Sequence, residues 1–207
     1  MGRPREFNED QVLDAVTDVF WTKGYEGTST RDLAAVTGLT PPSLYNAFGD
    51  KRKLFLRALE HYLDKTLRNR MIRLETDLSP AMAITTFFDE IVRHSASDPA
   101  QRGCLLVNST LEATCDDMEL RQTVAAELLQ LRSFFRRCIT AAQQNAEIAV
   151  TAAPDDAASH LVAVLLGLRV LARVDPNPEQ LSGAAARAMA TLGLPAPPAP
   201  KVKRPRS

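Results

Sequence analysis

Two clusters of side chains carry the chemistry that this sequence can offer. The first is RGCLLVNSTLEATC, which sets Cys104, Asn108, Glu112 (or Leu111) and Cys115 along one side of a helix. Cys104 falls in the first turn beside Arg102, where a helix dipole and a cation both favour the thiolate, a nucleophile open to electrophiles and oxidants. The competing role for Cys104 is that of a small buried hydrophobe. The second cluster runs from Thr28 to Lys51. Thr28, Thr30, Thr40 and Ser43 offer hydroxyls suited to phosphate oxygens or base edges. Tyr45 and Asn46 fall on the outward side of a short helix whose Leu44, Ala47 and Phe48 face inward, and Lys51 is placed for a phosphate. Helix starts at Ser29 and Pro41 present backbone amides to the same kind of anion.

Neither cluster is catalytic. No nucleophile–base–orienter set, nucleotide loop or zinc spacing appears, so an enzyme built on Cys104 or His160 with Glu112 finds no support, and no cofactor or metal is expected. Apolar side chains suited to a ligand pocket are Phe88, Ile91, Phe134 and Cys138, with Phe87, His94, Phe135 and His160 as further candidates. Aromatic residues at helical spacing are more often core.

The elements that must position these groups are all helical, since apolar residues recur at i, i+3, i+4 and no period-two run is convincing. Asn8 caps a first helix striped with Val12, Ala15, Val16, Val19 and Phe20 and closed by Gly24. Thr28 or Ser29 caps a second, bearing Leu33 and Val36 and ended by Gly38. Thr40 caps a third with Pro41 at its tolerated first position, and Asp50 caps a longer fourth that reaches Leu67. Ser79–Pro80 opens the next, residues 103–114 form another, and Asp116 or Asp117 begins a long one through Phe134 and Phe135. Pro154 starts a helix striped with Leu161, Leu165 and Leu168. After Asp175–Pro176 comes a last helix with Leu181, Ala185, Ala188 and Leu192. Those last two stripes are the expected dimer surface. Past Leu194 the segment is proline-rich and basic, and disorder is expected.

Two short helices joined by a glycine turn and packed on a preceding helix match the helix-turn-helix. Read from Phe20 to Leu54, F-x-x-K-G-Y-x-G-T-S-T-R-D-L-A-x-x-T-G-L-T-x-x-S-L-Y-x-x-F-G-D-K-x-x-L resembles the N-terminal domain of TetR-family transcriptional regulators. That resemblance implies an all-α protein: a three-helix DNA-binding head (1–49), an all-helical ligand-binding and dimerising body (50–194), and a tail (195–207). It carries DNA-contact roles onto Thr28, Thr30, Arg31, Thr40, Pro41, Pro42, Ser43, Tyr45, Asn46 and Lys51. Relatives often have lysine or glycine where Pro41 and Pro42 stand, so contacts there would be apolar, such as to a thymine methyl. The short run R-G-C-L-x-x-N is similar to a subgroup responding to electrophiles or acrylate-like compounds. Cys104, Asn108 and Glu112 thereby join Phe88, Ile91, Phe134 and Cys138 as pocket candidates.

Bulk properties set the frame. The 207 residues are 45% hydrophobic and 24% charged, with formal net charge zero, as in ordinary soluble domains. Charge alone does not point to DNA. In the first fifty residues Arg3, Arg5, Lys23 and Arg31 face Glu6, Glu9, Asp10, Asp14, Asp18, Glu26, Asp32 and Asp50. Three cysteines without framework spacing suit a reducing compartment, and Leu161–Leu168, the longest apolar run, is too short for a bilayer. The expectation is a cytoplasmic, ligand-responsive repressor that binds a pseudo-palindrome on double-stranded DNA as a homodimer and is released by a small-molecule effector, with no membrane partner. The alternative is a DNA-binding protein of the same fold whose body binds a protein partner.

Overall fold

Local capping decides where the first helices begin. Asn8 accepts a hydrogen bond from Gln11 N–H (3.2 Å). Ser29 and Asp32 form a reciprocal capping box, with Asp32 N–H to Ser29 Oγ at 3.1 Å and Ser29 N–H to the Asp32 carboxylate at 2.9 Å. Thr40 Oγ1 accepts from Ser43 N–H (3.4 Å) and Asp50 from Lys53 N–H (2.8 Å). Gly38, at φ 67°, ends the second helix in the left-handed conformation that a side chain would resist.

The computed structural model describes residues 7–112 and 117–196, and every element among them is helical. In order they are α1 (Glu9–Gly27), α2 (Thr30–Thr37), α3 (Pro41–Phe48), α4 (Lys51–Leu63), α5 (Asn69–Asp77), α6 (Pro80–Ser97), α7 (Leu105–Glu112), α8 (Met118–Gln144), α9 (Pro154–Val174) and α10 (Pro178–Thr191). A π-helical turn, Asp64–Arg68, carries α4 into α5. Arg3, Arg5, Cys115, Asp116, Lys201, Lys203, Arg204 and Arg206 lie outside the described residues. So does the tail beyond Ala196.

Packing divides the chain into two units. One comprises the residues up to Asn69 together with Cys104–Val124; the other comprises Arg70–Gly103 and the residues from Ala125 onward. This cut differs from a division at residues 49 and 50, because α4 and α7 pack against α1.

In the first unit Phe20 and Phe55 meet edge-on (centroids 5.1 Å apart), among fully buried Val16, Leu33, Leu44, Leu54, Ala58 and Leu59. Helices of eight residues are marginal in isolation, so α2 and α3 exist because Leu33, Leu44 and Phe48 are buried in this core. Val36, expected on the buried face, is 47% exposed. In α2 Leu33 alone is buried, and Val36 lies outside the core. The helix expected over 103–114 is shorter, Leu105–Glu112. Cys104 precedes it as the capping residue, its carbonyl accepting from Asn108 N–H (2.9 Å).

In the second unit Phe87 and Phe88 of α6 pack on Phe134 and Phe135 of α8, with centroids 5.3 to 5.7 Å apart across the two helices. The start of α6 is capped from a distance, Ala81 N–H donating to Glu147 Oε2 at 2.9 Å. Glu90 of α6 takes hydrogen bonds from Arg70 (3.0 Å) and Arg73 (2.7 Å) of α5. The dimer stripes expected on α9 and α10 are corrected here. Leu161, Leu165, Leu168, Leu181, Ala185, Ala188 and Leu192 are all buried within the chain, where α9 and α10 pack on each other and on α6. Arg169, a charged residue on α9, is buried and donates to Ser95 Oγ (3.3 Å). The exposed side of α9 is instead Ala163, Gly167, Val170, Leu171 and Val174, and that of α10 includes Gly183, Ala184 and Arg187. By length and composition α9 is apolar enough to cross a membrane, more than its unbroken run Leu161–Leu168 indicated.

Candidate DNA interface

The outward side of α3 is built from small and uncharged groups. Pro41, Pro42, Ser43 and Asn46 are exposed, Tyr45 and Ala47 are half-buried, and Leu44 and Phe48 anchor the opposite side in the core. From Leu39 to Gly49 there is no charged residue. Ser43 and Asn46 are therefore the groups on α3 able to donate and accept at base edges, while Pro41 and Pro42 offer apolar contact. The Thr30 and Tyr45 hydroxyls pair with each other at 2.7 Å and tie α2 to α3. Thr40 and Ser43 hydroxyls pair at 2.9 Å. Arg31 is exposed on α2, and Lys51 Nζ stands 4.5 Å from the centre of the Tyr25 ring.

Two expectations change at this surface. The start of α3 is not an amide-rich anion site: its first two residues are prolines without N–H, and Ser43 N–H is already capped by Thr40. At α2 the first two amides, of Thr30 and Arg31, remain of the kind a helix leaves without internal partners. The nearby Asp32 carboxyl is held far below its usual range, chiefly by the Lys23 ammonium at 2.6 Å and then by Ser29. Thr28 is 1% exposed and donates to Gly24 O at 2.6 Å, so its side chain holds the turn before α2.

Under this surface lies a support that sequence inspection missed. Gly24 breaks α1 at φ 74°, ψ 171°. Glu112, at the end of α7, accepts from the next amide, Tyr25 N–H, at 2.8 Å. A Cβ on Gly24 would lie 2.6 Å from Glu112 Oε1. Arg52 of α4 lies 5.4 Å from the Tyr25 ring centre and is ion-paired with Asp117. In the sequence Tyr25 stood out only as the Y of the K-G-Y-x-G run, with nothing to link it to Glu112. Elsewhere in this unit a groove of about 520 Å³ is lined by Glu9, Asp10, Arg57, Glu60, His61 and Asp64. Its Arg57 is paired with Glu9, leaving a net acidic surface that repels phosphate.

The seven pocket candidates divide between the units. Cys104 (8% exposed) and Asn108 are buried in the first, with the Tyr62 hydroxyl donating to Cys104 Sγ at 3.7 Å and the Trp21 ring 5.0 Å from that of Tyr62. Glu112 is exposed and committed to Tyr25. Phe88, Ile91 and Phe134 are closed core of the second unit, and neither Phe88 nor Phe134 has any exposed surface. Cys138 lines a groove of about 180 Å³ there with Glu75 and Arg137, smaller than usual ligand sites.

A short helix with an exposed, uncharged, hydrogen-bonding side, braced on two others and joined to a helical body, defines a helix-turn-helix DNA-binding regulator. Residues 12–58 match the family described as bacterial regulatory proteins, tetR family, and residues 80–189 match the tetracyclin repressor-like, C-terminal domain. The uncharacterized HTH-type transcriptional regulator YezE of Bacillus subtilis (strain 168) is 35% identical over 148 residues, 72% of this chain and 76% of that one. The HTH-type transcriptional repressor ComR of Escherichia coli (strain K12) is 27% identical over 181 residues, 87% of this chain and 86% of that one. Among solved structures, a cysteine mutant of the TetR family transcriptional regulator CifR complexed with 26bp double-strand operator DNA superposes with a TM-score of 0.81. It is 34% identical and covers 92% of this chain and 100% of its own. The chain belongs to the TetR family of transcriptional regulators.

Proposed function

We propose that this protein is a ligand-responsive repressor that binds a pseudo-palindromic operator as a homodimer and is released by a small-molecule electrophile taken at Cys104. The observation that carries the DNA half is the exposed side of α3, fixed by buried Leu44 and Phe48. Ser43 and Asn46 read base edges, Pro41 and Pro42 pack on thymine methyls, and Thr30, Arg31, Thr40, Tyr45 and Lys51 position phosphates. Thr28 serves by holding the turn. Residues 1–49 act as the reading head, 50–194 as the effector-binding and dimerising body, and 195–207 as a basic tail. The protein acts in the cytoplasm, where its DNA is. Support comes from a relative solved on operator DNA and from another described as a repressor.

The dimer forms through the exposed sides of α9 and α10, where Ala163, Gly167, Gly183 and Ala184 let two copies approach closely. The effector seat is Cys104 with Asn108. An acrylate-type compound reacts by conjugate addition: sulfur bonds to the β-carbon, the thiol proton ends on the α-carbon, and no oxidant is needed. A ligand reaches Phe88, Ile91 or Phe134 only by displacing core side chains, and the groove at Cys138 is small.

The test is selection of random duplex DNA by the purified protein. A pseudo-palindrome is expected, with Asn46→Ala weakening it by roughly 1–3 kcal/mol, the usual discrimination of a good bidentate base contact. Methyl acrylate is expected to release wild type from that duplex but not Cys104→Ser. Recovery of no preferred sequence overturns the DNA half, and equal release of the two proteins overturns the Cys104 half.

A further inference from the structure

The end of α7 and the start of α8 both place a carboxylate on the same small region of the head, although no base or phosphate role falls to either. Glu112 Oε2 takes Tyr25 N–H at 2.8 Å, immediately after the Gly24 break. Asp117 is ion-paired with Arg52, whose guanidinium lies over Tyr25 and Phe55 at 5.4 and 5.7 Å. Lys51, next to Arg52, stands 4.5 Å from the same Tyr25 ring. One carboxylate thus fixes the backbone of Tyr25 and the other fixes its ring through Arg52. The segment they hold, Gly24 to Thr28, sets the entry of α2, since Thr28 Oγ1 closes the turn on Gly24 O.

We propose that Glu112 and Asp117 are positioning residues for DNA reading: they hold the Gly24–Thr28 turn and the Lys51–Arg52 start of α4 in the arrangement that presents α2 and α3 together. The physical reason is conformational. A turn containing Gly24 and Gly27 has many alternatives, and a head that samples them binds with an affinity reduced by the fraction in the competent form. The clamp rests on the DNA-reading role given above. Cys104 caps the opposite end of α7, about 12 Å away at 1.5 Å per residue, so a displacement of that helix carries Glu112 with it.

The experiment uses the full chain and the selected duplex, with hydrogen–deuterium exchange at the Tyr25 amide as a second readout. Glu112→Gln keeps an acceptor oxygen and loses the charge, whereas Glu112→Ala loses both. Expected are near-wild-type affinity and Tyr25 protection for Glu112→Gln. For Glu112→Ala, faster Tyr25 exchange is expected with affinity weaker by about tenfold, equivalent to about 1.4 kcal/mol. Asp117→Asn keeps the oxygen that caps Leu120 N–H in α8 (3.1 Å) and is expected to weaken DNA binding about threefold without loss of helix content. Equal affinities for Glu112→Ala and Glu112→Gln would assign the effect to charge and overturn the proposal. So would unchanged Tyr25 exchange in Glu112→Ala. If wild type selects no sequence, the DNA-reading role falls, and the exchange comparison still decides whether the clamp exists.

Discussion

Cys104 and Cys138 are both buried, yet their surroundings differ in kind. Cys138 sits among apolar side chains with Glu75 near, and burial first and that carboxylate second push its thiol up to about 12. At pH 8 it is a neutral thiol, only 4% exposed at the floor of a small groove. Iodoacetamide treatment of the native protein is expected to leave Cys138 unmodified, and full modification to require urea; peptide mass spectrometry reads both. Cys104, by contrast, has a hydroxyl donor at its sulfur. Individual caps were legible in the sequence because each spans three residues: Asn8 with Gln11, Ser29 with Asp32 and Thr40 with Ser43. Glu112 was read as a pocket residue because its true partner, Tyr25, is 87 positions away, and no local pattern encodes such a contact.

At the scale of elements, helix type and order were readable from periodicity, whereas what each side of a helix packs on was not. α9 shows why. Both of its sides are apolar, so periodicity could not tell the stripe that meets α6 from the one left outside. Similarly, Ser79 opens α6 by sequence, but Glu147 supplies the cap. The α5–α6 pairing gives a pH test. Burial raises the Glu90 carboxyl, but the Arg73 and Arg70 guanidiniums outweigh it, so Glu90 titrates below its ordinary value. A carboxyl depressed in the fold contributes stability that is present above its unfolded pKa and lost as pH falls through the folded one. Glu90→Gln is therefore expected to lower stability at pH 7 by roughly 1 kcal/mol, a modest figure for a partly solvated ion pair. Urea midpoints taken from pH 7 to pH 3 should converge for the two proteins as the pH falls below the carboxylate range.

For the molecule as a whole, Val170, Leu171 and Val174 are 45%, 54% and 80% exposed on one chain, an apolar surface suited to the dimer contact proposed above. Replacing Val170 and Val174 together by Glu is expected to reduce the mass in light scattering from twice 22.7 kDa to 22.7 kDa, and to leave helix content unchanged because neither side chain is in the core. Loss of operator binding in the same variant would follow from loss of the second half-site. A reading helix without charge also governs how the regulator finds its site. Affinity for arbitrary DNA grows with each phosphate neutralised, and α3 itself supplies no cation for that purpose. Such a protein dwells only briefly on wrong sequences, exploring the chromosome by frequent dissociation and return, and its occupancy of the right one is set by fit more than by attraction.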